Sequence, residues 1–140
     1  MNEYVYVLRH YATFDGRARR HELWMFRLIH GLIQLALTAL SLTALFVDVV
    51  SQPTPDPDSL SMLTIIAVSV QLLYVMATFI PNLAVTVRRL HDAGFSGWLV
   101  LLEFISLGII VVVLNIIDST PGANKWGTNP KGVPAPSAWT

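Results

Sequence analysis

Three long apolar runs, residues 23–50, 60–87 and 98–117, fill more than half of a 140-residue chain, and arginine clusters stand directly beside them. A helix needs roughly 20 mostly apolar residues to cross a hydrocarbon core about 30 Å thick, so each run is long enough to span a bilayer. Hydrophobic residues make up 54% of the chain and charged residues 13%, against about 25% charged in ordinary soluble domains. A soluble helical bundle of this make-up would have too few charges to cover its surface. The chain is therefore expected to be all-α, a single integral membrane domain of about three transmembrane helices preceded by a short amphipathic interfacial helix.

The formal net charge is zero, so there is no global basic bias toward nucleic acid, and the charges matter through their placement. Cysteine is absent, which excludes disulfide scaffolds, thiolate metal sites and cysteine nucleophiles together. No metal, cofactor or catalytic residue is assigned. The first apolar run begins after about 22 residues and exceeds a signal-peptide core in length, without a small-x-small cleavage site, and is read as a retained span.

Ahead of that run, Tyr4, Val7, Leu8, Tyr11 and Phe14 recur at spacings of three and four, which stripes one helical face and suits the headgroup region. Asp15-Gly16 should break this helix before the basic cluster. The linker at 51–59 alternates proline with polar residues and has no Lys or Arg, whereas 88–97 carries Arg88, Arg89, two glycines and Ser96 as a candidate helix cap. Basic residues stay on the cytoplasmic side of short loops. Segment 1–22 and the 88–97 linker are thus expected inside and 51–59 outside. Three crossings would place the irregular tail, 118–140, outside with Lys125 and Lys131. The alternative keeps it inside through a re-entrant third run hinged at Ser106-Leu107-Gly108, at the cost of irregular backbone at membrane depth.

Polar side chains interrupt the spans in register. Arg27, His30, Gln34, Thr38 and Ser41 follow at intervals of three or four, and Thr64, Gln71, Tyr74 and Thr78 do the same in the second run. Such stripes face a partner or a wet cavity rather than lipid. Arg27 and Glu103 lie at matching depth inside their runs, which predicts an ion pair with His30 nearby; the alternative is that Arg27 snorkels and Glu103 faces water. Gln34 and Gln71 are candidates for an interhelical hydrogen bond. Pro81 should kink the second helix.

Three motifs carry a resemblance. Phe14-Asp-Gly16-Arg17-Ala-Arg19-Arg20-His-Glu22-Leu-Trp24, Arg88-Arg89-Leu90-His91-Asp92-Ala-Gly94 and Pro121-Gly122-Ala-Asn124-Lys-Trp126-Gly127 resemble the F-x-G-R-A-x-R-x-E-x-W, R-R-L-H-D-x-G and P-G-x-N-x-Y-G signatures of a bacterial membrane-protein family called domain of unknown function 805. The resemblance implies a small multi-pass protein of the bacterial inner (plasma) membrane, and no activity. Leu99 replaces a usual tryptophan, Ala123 a usual glutamate, Trp126 a usual tyrosine, and Ser106 a usual proline, so the helix breaker expected of a re-entrant third run is missing.

Function divides into three classes. Arg17, Arg19, Arg20, Arg88 and Arg89, with His91 and Asp92, form a candidate cytoplasmic-face site for anionic lipid headgroups or a phosphate-bearing ligand, since guanidinium forks engage phosphate bidentately; the plainer reading is that the arginines only orient the spans. A structural role, as a homo-oligomer or as a partner in a membrane complex, requires no site at all. Transport and catalysis are weaker readings: the outer half of the stripe offers mainly hydroxyls and Asp48, and a His91-Asp92 neighbour pair with Glu22 lacks any supporting motif.

Overall fold

A computed structural model describes residues 3–51 and 60–132. The described residues are helical, with no strand among them: α1 (Glu3–Arg9), α2 (Arg20–Ser51), α3 (Met62–Asp92), a 3-10 helix (Gly97–Phe104) and α4 (Gly108–Ile116). At 1.5 Å rise per residue, the 32 residues of α2 and 31 of α3 span about 48 and 46 Å, more than a bilayer core requires. Both are long and apolar enough to cross a membrane.

The chain divides into two compact units, Met1–Arg27 with Ile80–Thr140, and Leu28–Phe79. In the second unit, leucines such as Leu32, Leu35, Leu72 and Leu73 are exposed, as expected of faces that meet hydrocarbon, while the polar stripes find partners. His30 Nδ1 lies 3.0 Å from the Tyr74 hydroxyl with the rings stacked, and Gln71 Nε2 donates to Thr38 Oγ1 at 3.0 Å. The expected Gln34–Gln71 bond is not the one formed. Thr38, one turn beyond Gln34, receives the Gln71 amide, and Gln34 Oε1 is buried without a partner. The 51–59 linker lies outside the described residues apart from Ser51, which ends α2.

In the first unit, α1 contributes Val7 to a core with Ala18, Leu23, Phe26 and Val85, and Tyr4 stacks on Phe26 at 5.3 Å. The expected interfacial stripe is therefore split. Its first half packs against protein, and only Tyr11 and Phe14 beyond α1 stay exposed. Gly16, at φ +89°, turns the chain as Asp15-Gly16 foretold. Helix α3 runs on through Arg88–Asp92, so the first half of the expected linker is helical. It ends in a Schellman motif, with Phe95 N–H on the Leu90 carbonyl at 2.9 Å, Gly94 N–H on that of His91 at 3.1 Å, and Gly94 at φ +88°. Pro81 sits inside α3 without ending it.

The third run departs most from expectation. A continuous helix over 98–117 is absent; an eight-residue 3-10 helix and a nine-residue α4 replace it, joined through Ser106 at φ +61°. Neither piece exceeds about 16 Å, half a hydrocarbon core. The run doubles back. A Cβ on Gly97, at its start, would stand 2.9 Å from His91 Nε2, and the carbonyls of Asn115 and Ile117, at its end, both accept from Arg89. Both ends thus meet the last turns of α3, as in the re-entrant alternative. Ser106, in the left-handed region, breaks the run without the proline usual at that position in the family it resembles.

Candidate functional site

The basic motifs converge on the C-terminal end of α3, where helix geometry leaves carbonyls without intrahelical donors. Asp92 is at its centre, with no exposed surface. Its carboxylate accepts from Arg17 Nε at 2.9 Å, Arg89 Nη1 at 2.5 Å and the Ser119 hydroxyl at 2.5 Å. Arg17 is placed by the turn at Gly16 and by Ala18 N–H on the Arg88 carbonyl, 3.1 Å. Its fork continues to the carbonyls of Gly122 and Thr120, at 2.9 and 2.7 Å, and to that of Asp92 at 3.3 Å. Arg89 joins its carboxylate contact to the two carbonyls at the end of α4. Both guanidiniums sit at helix C-termini, where the macrodipole favours positive charge.

The tail completes the cap. Thr120 N–H bonds the Asp92 carbonyl at 2.9 Å, Asn124 Nδ2 that of His91 at 3.0 Å, and Asn129 Nδ2 that of Thr120 at 3.0 Å. Asn124 and Gly127 exchange backbone hydrogen bonds, both 3.0 Å, and Asn124 Oδ1 accepts from Trp126 N–H. Residues 118–132, expected to be irregular, form an ordered network of turns. The Pro-Gly-x-Asn-x-aromatic-Gly motif was visible in the sequence, but Ser119, Thr120 and Asn124 carry no charge that would have marked them as partners of Asp92 and His91.

Around this centre the other basic residues are also engaged. Arg88 Nη1 lies 3.0 Å from Glu22 Oε1, a close ion pair off hydrogen-bond alignment, since Glu22 Oε1 and Arg88 Nε and Nη2 remain buried without hydrogen bonds. Arg20 pairs with Asp118 at 3.0 Å, Lys131 also bonds Asp118, and Arg19 donates to the Pro130 carbonyl. The hydrogen bond from Lys131 and that from Ser119 N–H, with Arg20 close by, hold the Asp118 carboxyl below its ordinary value. His91 stacks on Trp126, centroids 4.5 Å apart, with Nδ1 3.3 Å from the Gly16 carbonyl. Glu22 and His91 therefore serve different partners, and among the described residues no group of carboxylates and imidazoles is arranged to hold a metal.

Deeper along α2, Arg27 Nη2 lies 2.7 Å from Glu103 Oε1 and 3.1 Å from Thr86 Oγ1, with both charged side chains about one-fifth exposed. The proposed site residues thus fall into separate groups. Arg17, Arg89, His91 and Asp92 meet at the tail cap, Arg88 pairs with Glu22, Arg19 and Arg20 lie toward the surface, and Arg27 joins Glu103.

Comparison with known proteins places this geometry in a lineage. The family model described as protein of unknown function (DUF805) matches residues 11–128, which include all three motifs. The inner membrane protein YhaI of Escherichia coli K12 is 33% identical over 133 residues, covering 94% of this chain and 97% of its own. The inner membrane protein YhaH of the same strain is 35% identical over 133 residues, covering 94% and 98%. No solved structure matches the chain.

Proposed function

The chain belongs to the DUF805 family and is a small integral inner-membrane protein; from that premise we propose that it acts there without catalysing a reaction, as a structural or partner-binding protein. The observation that carries this reading is the burial of the Arg17–Asp92–Arg89 centre, whose side chains are 1%, 0% and 0% exposed. A phosphate site offers free donors to an incoming anion. Here the guanidiniums of Arg17 and Arg89 are spent on a carboxylate and on backbone carbonyls, which recruits them to lock the tail against the ends of α3 and α4. Phosphate or headgroup binding by Arg17 and Arg89 would require that lock to open, and binding by Arg88 would compete with its pairing to Glu22.

The same contacts bear on topology. The N-terminal segment, the end of α3 and the tail are hydrogen-bonded together, so they share one side of the membrane. The arginines favour the cytoplasmic side, and Lys125 and Lys131 then join them. The reading is of two crossings with both terminal segments inside. A homo-oligomer or a larger membrane partner would dock on the remaining surface.

Asp92→Asn separates the structural reading from the ligand reading. A buried ion network that loses one partner costs about 3–5 kcal/mol, so the variant should melt lower in detergent and yield its tail to limited proteolysis. Unchanged melting, with loss of phosphate or anionic-lipid binding, would instead identify the centre as a ligand site.

A further inference from the structure

A pocket of about 480 Å³ opens beside the last turn of α3, between the start of the 3-10 helix and the tail. Its size falls within the range of sites for small molecules, about 300–1,000 Å³. Its walls are unlike those of the arginine centre. Phe14, Trp98 and Trp126 line it together with Leu101, and polar groups reach it only from His91, Ser96 and Lys125. Trp98 is 79% exposed, and the Ser96 hydroxyl makes no capping bond to the helix it precedes.

The chemistry is sorted by position. Lys125 Nζ stands 4.2 Å from the centre of the Trp126 ring, and among the described residues it has no carboxylate partner. Trp126 in turn is held by stacking on His91 and by its N–H on Asn124 Oδ1. One rim is therefore a fixed cation with a hydroxyl within the same pocket, while the remainder is aromatic and aliphatic. Tryptophans at headgroup level are typical of membrane–water interfaces, and the apolar stretch of α3 ends at Val87, itself part of the lining. A juxtamembrane cation contributes about 1 kcal/mol toward anionic lipid.

The geometry points to a binding site for an anionic phospholipid, its phosphate against Lys125 and Ser96 and the first part of an acyl chain along Trp98 and Leu101. This goes beyond the structural reading and does not depend on it: the arginine centre is left intact, and only the inner-membrane setting is shared. The cation it uses is Lys125 of the tail, not a motif arginine.

The test uses the full chain in mild detergent, incubated with equal amounts of phosphatidylglycerol and phosphatidylcholine bearing the same acyl chains, with retained lipid counted by native mass spectrometry. The wild type should hold phosphatidylglycerol about fivefold better, because both phosphates can meet Lys125 but only phosphatidylcholine brings a second cation beside it. Lys125→Gln should lose that preference and Arg19→Gln should keep it. Leu101→Glu, a substitution at an exposed wall position, places a carboxylate against the acyl chain and should abolish retention even if the Lys125 variant folds poorly. Equal retention of the two lipids by the wild type, or an unchanged preference in Lys125→Gln, overturns the assignment. So does displacement of the lipid by inorganic phosphate at equal concentration, which would show a site that reads phosphate without the chain.

Discussion

Asp92 neutralises one of the two guanidiniums it touches, and the excess positive charge is met by helix-end carbonyls rather than by a second acid. That arrangement needs forks, not point charges, because Arg17 reaches a carboxylate and several carbonyls from one planar group. The Arg27–Glu103 pair is simpler. Glu103→Gln leaves Arg27 with Thr86 alone at one-fifth exposure, and should lower stability by roughly 1–3 kcal/mol, with part of the loss recovered in the double variant Arg27→Gln with Glu103→Gln. Thermal melting of the three proteins in one detergent checks this, and wild-type stability in Glu103→Gln would show that Arg27 is served elsewhere. The pair could be anticipated because depth within a span is read by counting from its ends. The Gln71–Thr38 bond could not, since rotation about a helix axis is fixed only by packing.

Asp118 gives the residue scale its pH dependence. Its carboxyl is held below the ordinary 3.8, so the folded protein binds that proton less readily than the unfolded chain. The contribution is fully present above the unfolded value and disappears as pH falls through the lower folded value. Protection against hydrogen exchange in residues 118–131, taken relative to the intrinsic rate at each pH, should therefore fall below about pH 4, and Asp118→Asn should show the lower protection already at neutral pH. An acid-insensitive tail in the wild type would contradict the tether.

At the scale of elements, the fold-back of the third run rests on one backbone conformation. A left-handed residue with a side chain costs about 1–2 kcal/mol, and Ser106 adopts it between two short helices that pack on each other. Ser106→Gly should keep or raise the melting temperature, whereas Ser106→Ile, β-branched at positive φ, should lower stability by about 1–2 kcal/mol. Equal melting of the two variants would mean that the turn lies elsewhere. Ser106-Leu107-Gly108 offered a hinge for this reversal without deciding it, because the run, polar only at Glu103, Ser106 and Asn115, suits a continuous helix equally well. The start of α2 and the end of α3 were more legible: Asp15-Gly16 and Gly94 mark chain turns by conformational freedom alone.

At the scale of the whole molecule, the proposed two-crossing topology puts the tail on the cytoplasmic side. A fluorescent reporter fused after Thr140 should be active as a cytoplasmic fusion, and a periplasmic phosphatase at the same position should be inactive. The opposite pair of results would require a third crossing. Residence in the membrane follows from the sequence by itself, because transfer into hydrocarbon sums over residues whatever their neighbours, and the family follows from its motifs. What only the tertiary structure decided is how the arginines are used and where the third run goes. Arg17 takes partners 75 to 110 residues away, and a hydrogen bond depends on which carbonyl is carried to the donor, a matter of geometry that no local pattern encodes.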